Sequence, residues 1–202
     1  SMPDLGRDLH FYPADNPSPT TLTSDQVRHF NERGYVFPLD LFSADEMVDH
    51  RAYFDQLMDK AVAAGWNSYS VNGWHARCPG IYDLVTEPKI LDYVQDLLGE
   101  NLICWATHYF SKLPGDTKRV AFHQDASYWP LSPSKTVTVW LALDDVDMAN
   151  GAMQFIAGSH LDGQIAFDWS KPEEDNVLNQ SVHDPTQHGV ESVAIEMKAG
   201  QL

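Results

Sequence analysis

The chain has 202 residues, 43% of them hydrophobic and 11% aromatic, which suffices for one packed domain and argues against wholesale disorder. Thirteen Lys and Arg against 29 Asp and Glu leave a formal charge of −16, which opposes phosphate backbones and anionic lipid headgroups. Nucleic acid and membranes are therefore not expected partners, and no apolar stretch approaches the roughly 20 residues of a spanning helix.

A single domain is expected over residues 1–202, in three parts. Residues 1–20, with Pro3, Pro13, Pro17 and Pro19, read as an irregular lead-in. Residues 21–100 read as a mainly helical flank. Thr23 and Gln26 form a capping box ahead of a short stripe of Val27 and Phe30 that stops at Gly34. Ser43 and Glu46 form a second box, opening a longer helix with Met47, Phe54, Leu57, Met58 and Ala61 on one face and Gly65 past its end. A third helix is predicted from about Glu87 to Leu98, with Ile90, Leu91, Val94, Leu97 and Leu98 at helical spacing and Gly99 as the stop. Cys78 and Cys104 form no disulfide framework; they read as buried thiols of a protein in a reducing cytoplasm.

From Asn101 the pattern changes to that of a β-rich core. Leu102 to Phe110 reads as a strand bounded by Pro114-Gly115. Thr136 to Leu143 alternates, with Val137, Val139, Leu141 and Leu143 on one face and Thr138, Trp140 and Ala142 on the other. Asn150-Gly151 reads as a hairpin turn into a strand over Ala152 to Ala157, and Ser192 to Met197 as a further strand. Residues 162–189 read as a long polar excursion, of the kind that serves as a lid or binding loop. Helices first and strands later predict an antiparallel sheet or barrel with helices outside it.

Of nine histidines, His10, His29 and His50 read as solvated, His160 as a strand-end residue bonding backbone groups, and His183 and His188 as exposed. His123-Gln124-Asp125 differs from them. In an extended segment residues two apart point the same way, so an imidazole and a carboxylate converge. With a distant second His, that pair makes the facial triad of non-haem Fe(II) oxygenases, which leaves one face of the metal open. Phe122, Tyr128, Trp129 and Pro130 wrap the dyad in aromatic residues.

Phe122-His123-Gln124-Asp125, Tyr128-Trp129-Pro130, Thr138 to Asp145, Asn150-Gly151 and Gly158-Ser159-His160 together resemble the phytanoyl-CoA dioxygenase family. The resemblance implies a mostly β protein with flanking α-helices, a double-stranded β-helix of the jelly-roll or cupin type. It implies Fe(II) and 2-oxoglutarate as cofactors, with O₂ and a small organic molecule as partners in a hydroxylation. His123 and Asp125 are then the catalytic iron ligands, and Trp140, His108 and Thr138 line the 2-oxoglutarate side. Trp129 and Tyr128 are candidates for the substrate side. Trp140 also reads as a core aromatic. Asp at position 125 favours hydroxylation over halogenation, since halogenating relatives carry a small residue there. The family's distal His ligand and carboxylate-clamping Arg follow the Lys-Ala-Gly stretch, here Lys198-Ala199-Gly200. The third ligand and the last strands are thus expected beyond Leu202. Lys112, Lys118 and Arg119 are the basic residues near the dyad and read as a solvated turn, so a free small molecule is expected in preference to a CoA thioester. Two other readings use the same residues: a jelly-roll binding module without catalysis, and a zinc-dependent hydrolase built on the same His-x-Asp pair.

Overall fold

The computed structural model describes residues 6–69 and 71–202; Pro3 and the rest of residues 1–5 lie outside the described residues. Both predicted capping boxes form. Helix α1 spans Ser24–Arg33, with the Thr23 side chain accepting from the Gln26 N–H and the Gln26 side chain bonding back. Helix α2 spans Ala44–Ala63 and is capped the same way by Ser43 and Glu46. Each box satisfies two amide donors that the first helical turn leaves without partners. Pro79–Val85 forms an unpredicted short helix, α3, which has Pro at its start and buries only Ile81. Helix α4 spans Pro88–Leu98, with Gly99 at its C-terminal cap.

Gly34 caps α1 in a left-handed conformation, and its missing side chain has a second use. A Cβ there would sit 2.6 Å from Nδ1 of His160, whose Nε2 donates to the Asn31 carbonyl at 3.0 Å. The ring packs edge-on to Phe11, 4.3 Å between centroids. His160 therefore ties the lead-in, α1 and the Gly-Ser-His turn together, and burial holds its pKa below the usual histidine value.

The described lead-in, residues 6–20, is irregular, as its prolines demand, yet with the residues that follow it contributes to the core. Ala14 and Leu22 are buried in one cluster with Val27, Leu39, Leu41, Ile90, Leu97 and Leu202. Its anchor is Asp96 on the inner side of α4, only 3% exposed. The carboxylate accepts from the main-chain N–H groups of Thr20, Thr21 and Leu22 at 2.7–3.1 Å, and from the Asn16 amide at 3.1 Å. The helical stripe predicted for this segment had no place for a buried acid.

The strands are shorter than predicted, and two of the four described lie within the 162–189 excursion, where none was expected. Strand β1 (Met153–Ala157) pairs antiparallel with β4 (Glu191–Ile195), and β2 (Phe167–Trp169) pairs antiparallel with β3 (Gln180–Val182). The β1–β4 pairing extends on the far side of a turn: Val146 and Met197 exchange both main-chain bonds, and Ala142 bonds Gln201 and Gly200. Residues 142–157 thus run antiparallel to 191–201, and Asn150-Gly151 belongs to a turn that interrupts this run. It is not the tip of a hairpin. Residues 199–202 are shared on their other edge with residues 39–42, through Leu39 and Leu202 and through Leu41 and Phe42 on the Gly200 carbonyl. Gly200 lies at φ +90°, and a Cβ there would meet the Phe42 carbonyl oxygen at 2.4 Å. Only glycine permits that approach.

Two predicted strands correct to irregular extended chain. Residues 102–110 carry one β-bridge, His108 to Asn72, and residues 136–141 carry none. Neither has a neighbouring strand among the described residues to complete a ladder, so Ile103 is 92% and Trp105 47% exposed. The predicted two-face alternation of 136–143 breaks accordingly. Val137 and Leu141 pack on the α1/α4 core, Leu143 on the α2 core, and Val139 is exposed, while Ala142 from the opposite face is buried. Cys78 is half-buried and Cys104 exposed, both free, so the expectation of two buried thiols fails for Cys104. No described helix is long and apolar enough to cross a membrane.

Asp96→Ala leaves three main-chain donors without their acceptor and should destabilise the fold by about 3 kcal/mol in denaturant titration. The Asp96 carboxyl is shifted in two directions: burial pushes its pKa up, and the Thr20, Leu22 and Thr21 N–H groups outweigh burial and hold it below the usual carboxylate value. Its contribution is therefore present above the unfolded carboxylate range and lost as pH falls through the lower folded value. In acid titrations the wild type should converge on Asp96→Ala.

Candidate active site

The chain entering the dyad is extended: Gln124 lies at φ −117°, ψ 123°, and Asp125–Ser127 then closes into a single 3₁₀ turn. Alternation along that backbone sends His123 and Asp125 to one side and Gln124 to the other.

On the first side, Nδ1 of His123 lies 2.8 Å from the Ala121 carbonyl oxygen. A carbonyl only accepts, so Nδ1 carries the proton, and Nε2 is the nitrogen aimed at Oδ1 of Asp125, 3.2 Å away. The other carboxylate oxygen, Oδ2, accepts from the Thr138 hydroxyl at 2.8 Å. A bare imidazole nitrogen and a carboxylate oxygen facing each other both have lone pairs to offer, so a cation must lie between them, whether a proton or a metal ion. The titration of the pair follows. Burial pushes the His123 pKa down, but the bonds to Asp125 and the Ala121 carbonyl prevail and hold it above the usual value. Burial likewise pushes Asp125 up, and the bonds from His123 and Thr138 hold it below the usual carboxylate value.

The spacing also suits a metal. Two donors each about 2.1 Å from one divalent ion and at right angles lie about 3 Å apart. The Ala121 carbonyl and the Thr138 hydroxyl act as the outer partners that such ligands have: they fix the tautomer of one and leave a single oxygen of the other to point inward. No group of three His, Cys, Asp or Glu that could hold a metal occurs among the described residues.

On the other side, Gln124 bridges two main-chain groups of the excursion. Its amide nitrogen donates to the Gly163 carbonyl at 2.8 Å, and its amide oxygen accepts from the Ile165 N–H at 2.7 Å. The side chain thereby imitates one rung of a β-ladder and clamps the base of the 162–189 segment. Gln164 adds bonds to Gln124 and to buried Ser127. The period-two alternation already separated Gln124 from its neighbours, but nothing local named its partner.

The 162–189 segment is ordered against the dyad strand. Arg119 and the 175–177 stretch exchange main-chain bonds, Asn176 accepts from the Ala121 N–H at 3.0 Å, and Val182 donates to the Phe122 carbonyl at 2.8 Å. Residues 119–122 are thus edged by this segment up to His123. Its ends are joined by His188, whose Nδ1 lies 2.8 Å from Asp162; His188 is therefore engaged in a pair, while His183 remains exposed.

Of the other predicted site residues, Tyr128 lies beside the dyad, its ring edge-on to His123 at 6.0 Å. Thr138, expected on the 2-oxoglutarate side, donates its hydroxyl to Asp125. No hydrogen bond or ring contact joins His108, Trp129 or Trp140 to the dyad among the described residues. His108 bonds the Tyr69 carbonyl at 2.9 Å and leans on Phe110. Trp140 packs on Ala142, Ile195 and Met197, as its alternative core reading had it. The Trp129 carbonyl accepts from Arg7, which also donates to the Ala126 carbonyl at 2.8 Å. A cavity of about 280 Å³ lined by Asp145, Asp147, Glu196 and Lys198 lies elsewhere, with none of the dyad residues in its wall.

The sequence profile described as phytanoyl-CoA dioxygenase (PhyH) matches residues 30–202, which takes in the dyad, Thr138 and the whole 162–189 segment. The chain belongs to the phytanoyl-CoA dioxygenase family. Among relatives in this family, a probable phytanoyl-CoA dioxygenase from Caenorhabditis elegans is 23% identical over 89% of this chain and 66% of its own length. A probable alpha-ketoglutarate-dependent hypophosphite dioxygenase from Stutzerimonas stutzeri is 28% identical over 68% of this chain and 53% of its own. The solved apo structure of ThoJ, a non-heme monooxygenase, superposes with a TM-score of 0.65 at 27% identity, over 86% of this chain and 65% of that one. The chain thus spans about two thirds or less of the length of these relatives and of the ThoJ chain.

Gln124→Ala should release the base of the 162–189 segment, with amide exchange at Ile165 rising about tenfold in hydrogen-exchange measurements. Gln124→Asn, too short to span both partners, should exchange nearly as fast.

Proposed function

We propose that this chain carries the iron-binding part of a 2-oxoglutarate-dependent oxygenase that hydroxylates a C–H bond of a small organic molecule. One observation carries the reading: Nε2 of His123 and Oδ1 of Asp125 converge at 3.2 Å, each held by an outer partner, in a geometry that calls for a cation between them. Membership of the phytanoyl-CoA dioxygenase family, and the names of the hypophosphite dioxygenase and non-heme monooxygenase, support Fe(II) and 2-oxoglutarate over other pairings of metal and co-substrate.

In this reading His123 and Asp125 hold Fe(II), which with 2-oxoglutarate and O₂ supplies the oxidising chemistry. The protein's own work is positional. The Ala121 carbonyl keeps the imidazole proton on Nδ1, so Nε2 stays a ligand. Thr138 holds Oδ2 back, so Asp125 presents one oxygen and fills the position that a smaller residue would leave to a halide. Tyr128 walls the imidazole, and the 119–122 edge with its 175–182 partner limits water around the site. His108 and Trp140 are proposed for the 2-oxoglutarate side and Trp129 for the substrate side.

The third ligand and the closing strands of a double-stranded β-helix are proposed to lie beyond Leu202. Two observations support this: the chain covers about two thirds or less of its relatives, and Ile103 and Trp105, on one side of extended chain, are exposed with no partner strand among the described residues. A single domain in a reducing cytoplasm is proposed for the same chain.

Anaerobic Fe(II) titration with 2-oxoglutarate, on this chain and on any longer product of its gene, should give a visible charge-transfer band that needs both components. His123→Ala and Asp125→Ala should abolish the band, and Thr138→Val should weaken Fe(II) binding about tenfold. A zinc hydrolase or a binding module gives no band, so a longer product without one overturns the oxygenase reading.

A further inference from the structure

Next to the dyad, three polar atoms are buried without a hydrogen bond among the described residues: the Tyr128 hydroxyl and both amide atoms of Gln180. Gln180 is 1% exposed and is among the largest fully buried side chains described. Its main chain is well used, pairing with Trp169 across β2–β3 and accepting from Asn176 at 3.3 Å. The carboxamide is not. The Tyr128 hydroxyl lies near the Gln180 main chain, without the alignment of a hydrogen bond. The same Tyr128 ring stands edge-on to His123.

A buried polar group without a partner destabilises the fold, and a native chain rarely keeps one without a use. Gln180 keeps two, and the Tyr128 hydroxyl, near its main chain, is a third. A leucine or methionine would fill the same space without that cost. We propose that Gln180 and Tyr128 are the substrate-recognition pair of this site, and that they take a neutral group presenting a donor and an acceptor side by side, a carboxamide. The inference rests on the oxygenase reading for its substrate and on the buried pair for the group recognised.

The choice of a neutral group follows from the charges. The Gln180 amide offers two N–H donors and an acceptor in one plane, the pattern that a second amide meets with two bonds. A carboxylate or phosphate would meet only the donors and would be buried near the negative charge of Asp125. Two of the nearby cations are engaged elsewhere: Arg7 with the Ala126 and Trp129 carbonyls, and Arg119 through Nε with the Glu174 carbonyl at 3.2 Å. Entry is through β2–β3, whose strands have three residues each and little stability of their own. Trp169, opposite Gln180 in that hairpin, is 54% exposed.

The test uses the longest folded product of the gene, with isobutyramide and isobutyrate as probes followed by ligand-observed NMR. Thermal unfolding and the Fe(II)/2-oxoglutarate band are recorded alongside. The wild type should bind the amide in preference to the carboxylate. Gln180→Met should bind isobutyramide about tenfold more weakly, keep the band, and melt about 2–4 °C higher, because it removes two unpartnered polar atoms. Tyr128→Phe should weaken the amide and leave the amide-over-carboxylate preference in place, since Gln180 sets it. A lower melting temperature in Gln180→Met would show that the carboxamide is structurally satisfied, and unchanged amide binding would show that it meets no ligand; either overturns the proposal. Amide binding that depends on Gln180 without any charge-transfer band would instead overturn the oxygenase reading and leave the recognition pair standing.

Discussion

The short stretch from Ala121 to Asp125, extended at Gln124 and turning at Asp125, sets the terms for everything around it. The period-two alternation of that backbone puts an imidazole and a carboxylate on one side and a carboxamide on the other. Each side then meets a different demand. His123 and Asp125 face each other with lone pairs that only a cation reconciles, while Gln124 reaches the Gly163 carbonyl and Ile165 N–H as a ladder rung would. A helix at this point would turn His123 and Asp125 about 200° apart and dissolve both arrangements.

The clamp joins local chemistry to the mobile-looking part of the sequence. Residues 162–189 are polar and rich in turn formers, yet they edge the dyad strand through Arg119, Ala121 and Phe122 and tuck Gln180 beneath the surface. The segment that would admit a substrate is thus tied to the residues that would hold the metal. Any movement of β2–β3 is transmitted to the 119–122 edge, one residue from His123.

Remote packing supports the same strand indirectly. Residues 191–202 are hydrogen-bonded to 142–157 along one edge, and at their end to 39–42 on the other. This places the Lys-Ala-Gly stretch against the N-terminal core, where Gly200 passes within reach of the Phe42 carbonyl. Thr138 lies in the extended chain just ahead of this ladder, which brings its hydroxyl to Asp125, thirteen residues away in sequence.

The sequence by itself determined the features governed by near neighbours: both capping boxes, three helices with their glycine stops, the strands near 153–157 and 191–195, the His123/Asp125 convergence, and the family. Each is settled by contacts within a few residues or by a motif of fixed spacing. Tertiary structure alone decided the rest. Asp96 reads as one more polar residue on an amphipathic helix until the lead-in brings three N–H groups to it. Trp140 and His108 were placed by resemblance, and the contacts that fix them include distant ones, Ile195 and Met197 for the first and the Tyr69 carbonyl for the second. The alternation of 136–143 predicts a strand, but a strand also needs a partner's donors and acceptors, and its periodicity cannot supply them. For the same reason Gln124 and Gln180, two glutamines of equal local character, part company only on folding: one finds both bonding partners in the backbone of the excursion, and the other is buried with none.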